Sequence, residues 1–253
     1  MTSAPGQPSA RTVVIIPAFN EEQAVGGVVR DVKTELSEAT VVVVDDGSSD
    51  ATASQARQAG ADIVLRLPYN SGVGAALRVG LLAARRLGAQ AVQCDADGQH
   101  PADAIGGLLA KLDGADIVVG ARFAGVGDYR VRGPRAWAMR LLSRIMSRVH
   151  RTRLTDVTSG FRAFGPRAVQ LLSQEMPAQY LGDTVEALMI AREAGLVVTQ
   201  VPVAMRQRQG GRASHLAIRS AIYLLRTMTI VVLAGIRHLA TLGRRGGAKP
   251  GKG

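Results

Sequence analysis

The sequence predicts an α/β fold: a mostly parallel sheet flanked by helices. Three observations predict it. Short continuous runs of β-branched and other apolar residues recur along the first half, as in strands covered on both faces. Segments of helical period separate these runs. Turn-forming clusters of Gly, Asp, Asn or Ser lie between the runs and the helical segments. In such sheets ligands bind beyond the carboxyl ends of the strands, so the polar residues just after each run are where chemistry belongs.

The strand runs are Thr12 to Ile16, Val41 to Val44, Asp62 to Leu65, Ala91 to Cys94 and Asp116 to Val119. Helical segments fall near 21–36, 50–60, 72–87 and 102–112. After Gly120 the alternation stops and the chain becomes arginine-rich. A helix is predicted over 134–150, where Trp137, Leu141, Ile145 and Val149 recur at every fourth position, and Arg140, Arg144 and Arg148 do so on a neighbouring face. A helix near 183–194, a strand at Leu196 to Val203, a Gly/Arg/Gln loop at 206–213 and a last helix from about Ser214 follow. Arg219, Arg226 and Arg237 share one stripe on that last helix.

The composition excludes several classes. With 47% apolar and 20% charged residues among 253, the chain can bury a core and is neither a disordered tail nor a fibre. Cys94 is the single cysteine, so no internal disulfide forms, and no Cys/His spacing suits zinc. A metal, if held, is held by oxygen. The net charge of +11 is unevenly placed: residues 1–120 hold 9 basic and 14 acidic residues, residues 121–253 hold 22 and 6. The basic half suits phosphates or an anionic membrane surface. Nucleic acid is not an expected partner, because only 4% of residues are aromatic, too few for stacking platforms, and no recognition motif is present. The first apolar run, Val13 to Ile16, is shorter than a signal-peptide core, so the catalytic part is expected in the cytoplasm. Ser220 to Ile236 contains Arg226, whose insertion at mid-bilayer costs about 2.5–3.5 kcal/mol, which favours a helix lying on a membrane over one crossing it.

Three strand ends carry most of the chemistry. Cys94-Asp95-Ala96-Asp97-Gly98-Gln99-His100-Pro101 places two carboxylates one residue apart where the chain turns, a pattern that suits Mg²⁺ or Mn²⁺ with positions left for phosphate oxygens; a turn with a helix cap before Pro101 is the plainer reading. Val44-Asp45-Asp46-Gly47-Ser48-Ser49-Asp50 offers acids to a nucleobase or ribose and caps for the next helix. Pro17-Ala18-Phe19-Asn20-Glu21-Glu22 reads as a proline-fixed turn with Asn20 as helix cap. Asn70-Ser71-Gly72-Val73-Gly74 lets backbone N–H groups approach a ligand but lacks the third glycine of the dinucleotide fingerprint.

Taken together and in order, these motifs resemble the family 2 glycosyltransferases, inverting enzymes of the GT-A fold, in the branch of dolichol-phosphate mannosyltransferases and bacterial polyprenyl-phosphate glycosyltransferases. The resemblance covers roughly residues 12–215. It includes Gly120-Ala121-Arg122, Asp156-Val157-Thr158-Ser159-Gly160-Phe161-Arg162, Val201-Pro202-Val203 and the segment Arg208 to Ser214. It implies a Rossmann-like sheet with C-terminal amphipathic, membrane-associated helices. The implied division is a flexible tail at 1–10, a catalytic domain at 11–213, a membrane-surface helix at 214–240 and a basic flexible tail at 241–253. Within the catalytic domain, 11–120 would serve the nucleotide sugar and 121–213 the acceptor. By resemblance, Pro17, Phe19, Glu21, Asp46 and Ala96 line the nucleotide-sugar pocket, Asp95, Asp97 and Gln99 hold the metal and diphosphate, and Arg122 and Arg208 sit near the phosphates. Val73 stands where many relatives carry a cation, and the Gln-x-x-Arg-Trp motif of processive synthases is absent.

A phosphate acceptor needs positioning and charge neutralisation rather than a strong base, and arginine forks supply both. Nine arginines and one acid, Asp128, lie between Arg122 and Arg153. Arg122 with Arg135 or Arg140, and Ser143, are the candidate acceptor-phosphate residues, and Asp97, Arg122 and Arg140 the candidate catalytic ones. A hydroxyl acceptor would need a base, for which Asp183, Glu186 and Asp156 are candidates; Asp156 as a cap or a salt bridge to Arg162 is the alternative. The expected partners are a GDP- or UDP-linked sugar, a polyprenyl phosphate and an anionic membrane surface. The expected place is the cytoplasmic side of the plasma membrane, peripheral or monotopic. Room is left for a homo-oligomer or a small membrane-protein partner.

Overall fold

The computed structural model describes residues 11–122, 134–176 and 183–206, apart from the side chains of 134–136 and 183. The chain divides into two units, 1–212 and 213–253, and the described residues all belong to the first. The predicted last helix and both predicted tails lie outside them.

A seven-stranded sheet in the order β3-β2-β1-β4-β6-β5-β7 forms the centre. β1 (Thr12–Ala18) pairs in parallel with β2 (Thr40–Asp45) and β4 (Gln90–Gln93), and β2 pairs in parallel with β3 (Ile63–Arg66). Val13 to Ile16 and Val41 to Val44 are buried outright, as an uninterrupted apolar strand demands when helices cover both faces. Those helices are α1 (Val25–Glu35), α2 (Thr52–Gln58), α3 (Val73–Arg86) and α4 (Ile105–Ala110). α3 crosses β1 so closely that a Cβ on Gly80 would stand 2.2 Å from Ile15 Cγ2, which is why a mid-helix glycine is kept there despite its cost to the helix.

Beyond Gly120 the structure adds two elements that the sequence did not announce. β6 (Arg162–Phe164) runs antiparallel between β4 and β5 (Ile117–Ala121), and α6 (Pro166–Glu175) follows it with proline in its first turn. A three-residue strand carries no readable period. Its direction matters for function, because Arg162 pairs with Gln93 at the end of β4 and with Val119 near the end of β5. The residues that precede β6, Asp156 to Phe161, are thereby delivered to the edge where the parallel strands end. α7 (Asp183–Glu193) and β7 (Val198–Pro202), parallel to β5, complete the described chain.

α5 spans Pro134–His150, as the period predicted, and the face it buries lies beside the predicted apolar stripe. Leu142 and Met146 are the buried residues, whereas Trp137 is 65% exposed and Leu141, Ile145 and Val149 are only half-buried. The inner face is fixed by hydroxyls: Ser143 Oγ donates to the Thr155 carbonyl (3.1 Å) and Ser147 Oγ to that of Leu154 (3.0 Å). Arg140, Arg144 and Arg148 are exposed. At the end of the helix, burial first and then the Arg192 charge push the His150 imidazole from its ordinary 6.5 down to about 4. A depressed base contributes stability that is full above its unfolded value and is lost as pH falls through the folded one. The melting temperature should therefore fall between pH 6.5 and 4, and thermal melts across that range should show a shallower slope in His150→Gln.

Candidate functional site

The loops after β1 and β2 are clasped together by side chain to backbone hydrogen bonds. Asn20 N–H donates to Ser48 Oγ (2.9 Å), Ser49 N–H to Asn20 Oδ1 (3.0 Å) and Glu21 N–H to Thr52 Oγ1 (2.9 Å). Glu22 N–H donates to Asp50 Oδ2 (3.2 Å), and Ala51 N–H returns a bond to Glu22 Oε2 (3.0 Å). Asn20 is thus not the cap of α1, which starts only at Val25; at φ 53° it turns its chain so that the two loops interlock. None of Ser48 to Asp50, expected to cap the next helix, stands at the N-cap of α2, which is Ala51; Asp50, one residue earlier, accepts from Thr52 N–H with its Oδ1 (3.0 Å).

On this frame Pro17 and Glu21 are buried and Phe19 remains 42% exposed at the edge. Asp45 is buried, accepting from Ser48 N–H (2.9 Å) with Arg66 Nε 3.3 Å from its other oxygen. Asp46 accepts from Ser71 N–H and Gly72 N–H, both at 2.8 Å, so its carboxylate fastens the loop before α3 to the end of β2. Burial raises its pKa, the two N–H groups oppose the rise, and the Asp45 charge adds to it. The same loop requires Gly47, with φ +72°, because a Cβ there would lie 2.5 Å from the Tyr69 carbonyl carbon.

The end of β4 carries the acidic pair. Ala96 packs inward while Asp95 and Asp97 stay half-buried, the Asp95 side chain 38% exposed. Asp97 Oδ1 accepts from Gln99 N–H (3.0 Å) across a turn made at Gly98 with φ 76°. Asp95 Oδ1 accepts from Gln93 Nε2 (3.3 Å), and Asp95 N–H donates to His100 Nδ1 (2.8 Å). Gly160 closes over Asp95, since a Cβ there would stand 3.1 Å from both of its carboxylate oxygens. From the far side Arg206 N–H donates to the Gln99 carbonyl (2.9 Å) while its guanidinium reaches Asp31 (3.1 Å) on α1. Among the described residues no group of three or more His, Cys, Asp or Glu is arranged to hold a metal ion. Two carboxylates one residue apart, with Gln99 next in the same turn, are hard oxygen donors of the kind that would fit a cation such as Mg²⁺ or Mn²⁺ taking its remaining ligands from phosphate and water. Cys94 is no candidate ligand: burial first, then Asp95 and Asp97, push its thiol far up.

Arg122 does not stand open. Its Nε and Nη2 grip Asp156 Oδ2 and Oδ1 at 2.6 and 2.9 Å, its own N–H donates to Oδ2 (3.1 Å), and Nη2 also reaches Thr158 Oγ1 (3.0 Å). Asp156 is buried in this pair, so the salt bridge is to Arg122 and not to Arg162. Arg162 instead donates to the carbonyls of Ser159, Val157 and Thr184. Arg140 is exposed on α5 and Ser143 half-buried, its hydroxyl proton given to Thr155. Glu186 is half-buried on α7. Arg208 and the side chains of Arg135 and Asp183 lie outside the described residues. The strand ends thus bring together Asp95, Asp97, Gln99 and the 156–161 loop, with Phe19 and Asp46 at the ends of β1 and β2. His100, Thr158, Gly160, Phe161 and Arg206 lay within the segments that the sequence marked, but none was given a role of its own.

Residues 13–171 match the family model "Glycosyl transferase family 2". The chain is 31% identical to a UDP-N-acetylglucosamine–dolichyl-phosphate N-acetylglucosaminyltransferase of Methanococcus voltae, over 75% of this chain and 83% of that one. It is 30% identical to a polyprenol monophosphomannose synthase of Mycolicibacterium smegmatis, over 86% of each. Among solved structures, glucosyl-3-phosphoglycerate synthase from Mycobacterium tuberculosis in complex with Mn²⁺, UDP and glucosyl-3-phosphoglycerate superimposes with a TM-score of 0.67 at 21% identity, covering 91% of this chain and 86% of that one.

Proposed function

Because the chain belongs to glycosyl transferase family 2, we propose that it transfers a sugar, with inversion, from a GDP- or UDP-linked donor to a polyprenyl phosphate at the cytoplasmic face of a membrane. The observation that carries the reading is the half-buried Asp95/Asp97 pair at the end of β4, in a chain whose relatives include proteins named for dolichyl-phosphate N-acetylglucosamine transfer and polyprenol monophosphomannose synthesis.

In this reading Asp95, Asp97 and Gln99 would hold a divalent cation, which supplies Lewis-acid neutralisation of the diphosphate leaving group. Pro17, Phe19, Glu21, Asp46 and Ala96 line the nucleotide-sugar pocket, with Arg208 near the phosphates. The clasped β1 and β2 loops give that pocket a fixed shape before the donor arrives, so little ordering entropy is lost on binding. The acceptor phosphate is itself the nucleophile, so no side chain has to remove a proton. That suits a site in which Asp156 is committed to Arg122. Arg135 or Arg140 holds the acceptor phosphate, and Ser143, whose hydroxyl proton goes to the Thr155 carbonyl, would join only by giving up that bond; Arg122 contributes a cation already shared with Asp156.

α5 supports the membrane side of the reading. Its exposed Trp137, half-buried Leu141, Ile145 and Val149, and exposed Arg140, Arg144 and Arg148 place apolar and cationic stripes side by side, the combination that beds a helix into an anionic interface. No helix among the described residues is long and apolar enough to cross a membrane.

Incubation of the full chain with labelled nucleotide sugars, Mn²⁺ or Mg²⁺ and polyprenyl phosphate tests the reading. The expected result is a butanol-extractable, mild-acid-labile product with one donor. No such product with any donor would sink it. Arg140→Ala with Arg144→Ala should raise KM for the lipid by about tenfold, one to two lost charge-assisted contacts, and leave KM for the donor near its starting value. Equal changes in both would remove the acceptor-side placement.

A further inference from the structure

We propose that His100 is a positioning residue for Asp95, fixing that aspartate where it takes up the divalent cation; the inference rests on the glycosyltransferase reading above for Asp95 as a ligand of the cation and for the diphosphate in its test. The His100 ring is buried, and its Nδ1 accepts the Asp95 N–H at 2.8 Å. With Nδ1 accepting, the ring proton is on Nε2, which lies 3.6 Å from Asp95 Oδ2, too long for a hydrogen bond but placing a positive edge beside that oxygen. One residue is therefore addressed at two points, backbone and carboxylate, by a single imidazole.

The imidazole is in turn held. Its ring stacks on Phe161, centroids 4.8 Å apart with the planes 22° from parallel. Phe161 is fully buried, and its ring lies against the backbone of β5, where a Cβ on Gly120 would meet it at 2.6 Å. The chain of contact runs from the β5 backbone through Phe161 and His100 to Asp95. On the other side Gln93 donates to Asp95 Oδ1 (3.3 Å) and Gly160 leaves just the room the carboxylate occupies. A plain core residue at position 100 would fill the space on Phe161 equally well but would leave the Asp95 N–H without its acceptor. A histidine is what the hydrogen bond requires, and packing alone does not. Groups that orient a metal ligand in this way commonly carry ten- to a hundredfold in metal affinity, about the range expected here.

The test is Mn²⁺ titration of the full chain, followed by the electron paramagnetic resonance of the free ion, with UDP and with GDP present. His100→Phe keeps the ring stack and loses the acceptor; its Mn²⁺ dissociation constant should rise by about tenfold or more. His100→Asn restores an acceptor at the Nδ1 position and should bind within about threefold of the starting chain. In turnover assays the phenylalanine variant should show the same rise in the Mn²⁺ concentration for half-maximal rate, with kcat largely recovered at saturating metal. Unchanged Mn²⁺ affinity in His100→Phe, or an asparagine variant as weak as the phenylalanine one, would overturn the proposal. If circular dichroism shows His100→Phe unfolded, His100→Gln takes its place, its amide set one bond too far out, and affinity within twofold of the starting chain overturns it equally. Failure of the unsubstituted chain to bind Mn²⁺ with either diphosphate would instead count against the glycosyltransferase reading.

Discussion

Asp97→Asn is expected to lose turnover by about a thousandfold or more, the rate equivalent of roughly 4 kcal/mol of transition-state stabilisation, while the protein stays folded. The amide keeps an oxygen for the Gln99 N–H that Asp97 now accepts at 3.0 Å, so the turn at Gly98 persists. It lacks the charge that balances a divalent ion. The half-buried position limits the cost to stability to about 0.5 kcal/mol, which is about 2 °C in melting temperature for a chain of this size. Steady-state rates and thermal melts of the same preparation check both halves. Full activity would remove Asp97 from the metal site, and a collapsed melting curve would make the loss uninformative about chemistry, in which case Mn²⁺ affinity of Asp97→Glu decides.

Arg122→Met is expected to act mainly through stability. It leaves Asp156, fully buried and now bound by both prongs of the guanidinium, with a charge and no cation. Breaking a buried pair from one side typically costs about 3–5 kcal/mol, which predicts a melting temperature lower by about 10 °C. Removing the partner as well should recover most of that loss, so Arg122→Met with Asp156→Leu should melt well above Arg122→Met alone. Activity separates the roles. If Arg122 serves the acceptor only by shaping the 156–161 loop, the double variant regains turnover along with stability; if its charge meets the phosphate, turnover stays low in both. A single variant that melts like the starting chain would contradict the buried-pair assignment.

What was legible in the sequence follows from the range of the interactions involved. Strands β1 to β5 and helices α1 to α5 carry their own period, and their end motifs are local, so Asp46, Asp95 and Asp97 could be placed at strand ends before any coordinates. The boundaries slipped where tertiary contacts override local rules: α1 begins at Val25 because Asn20 to Glu22 are spent on the neighbouring loop. β6 was missed because three residues have no pattern of their own, and it exists only through its two neighbours. For Asp156 the sequence offered a base, a cap or a salt bridge to Arg162, and did not offer the Arg122 partner that it has, for a related reason. Both arginines satisfy charge arithmetic, and only the antiparallel course of β6 turns one toward carbonyl oxygens and the other toward the acid. The α5 stripe was read as one apolar face, whereas the contact with the body of the protein falls on Leu142 and Met146 beside it.

The placement of β6 also dictates an order of events during synthesis. β4 leaves the ribosome with β1 ready to pair on one side, but its other side waits until Arg162 to Phe164 have emerged. For that interval the nascent chain carries an unprotected sheet margin flanked by apolar strands, the kind of margin that recruits strangers. Chains interrupted between residues 94 and 161 should accordingly be far more prone to precipitate than chains interrupted after 176, and chaperone dependence should concentrate in the same window.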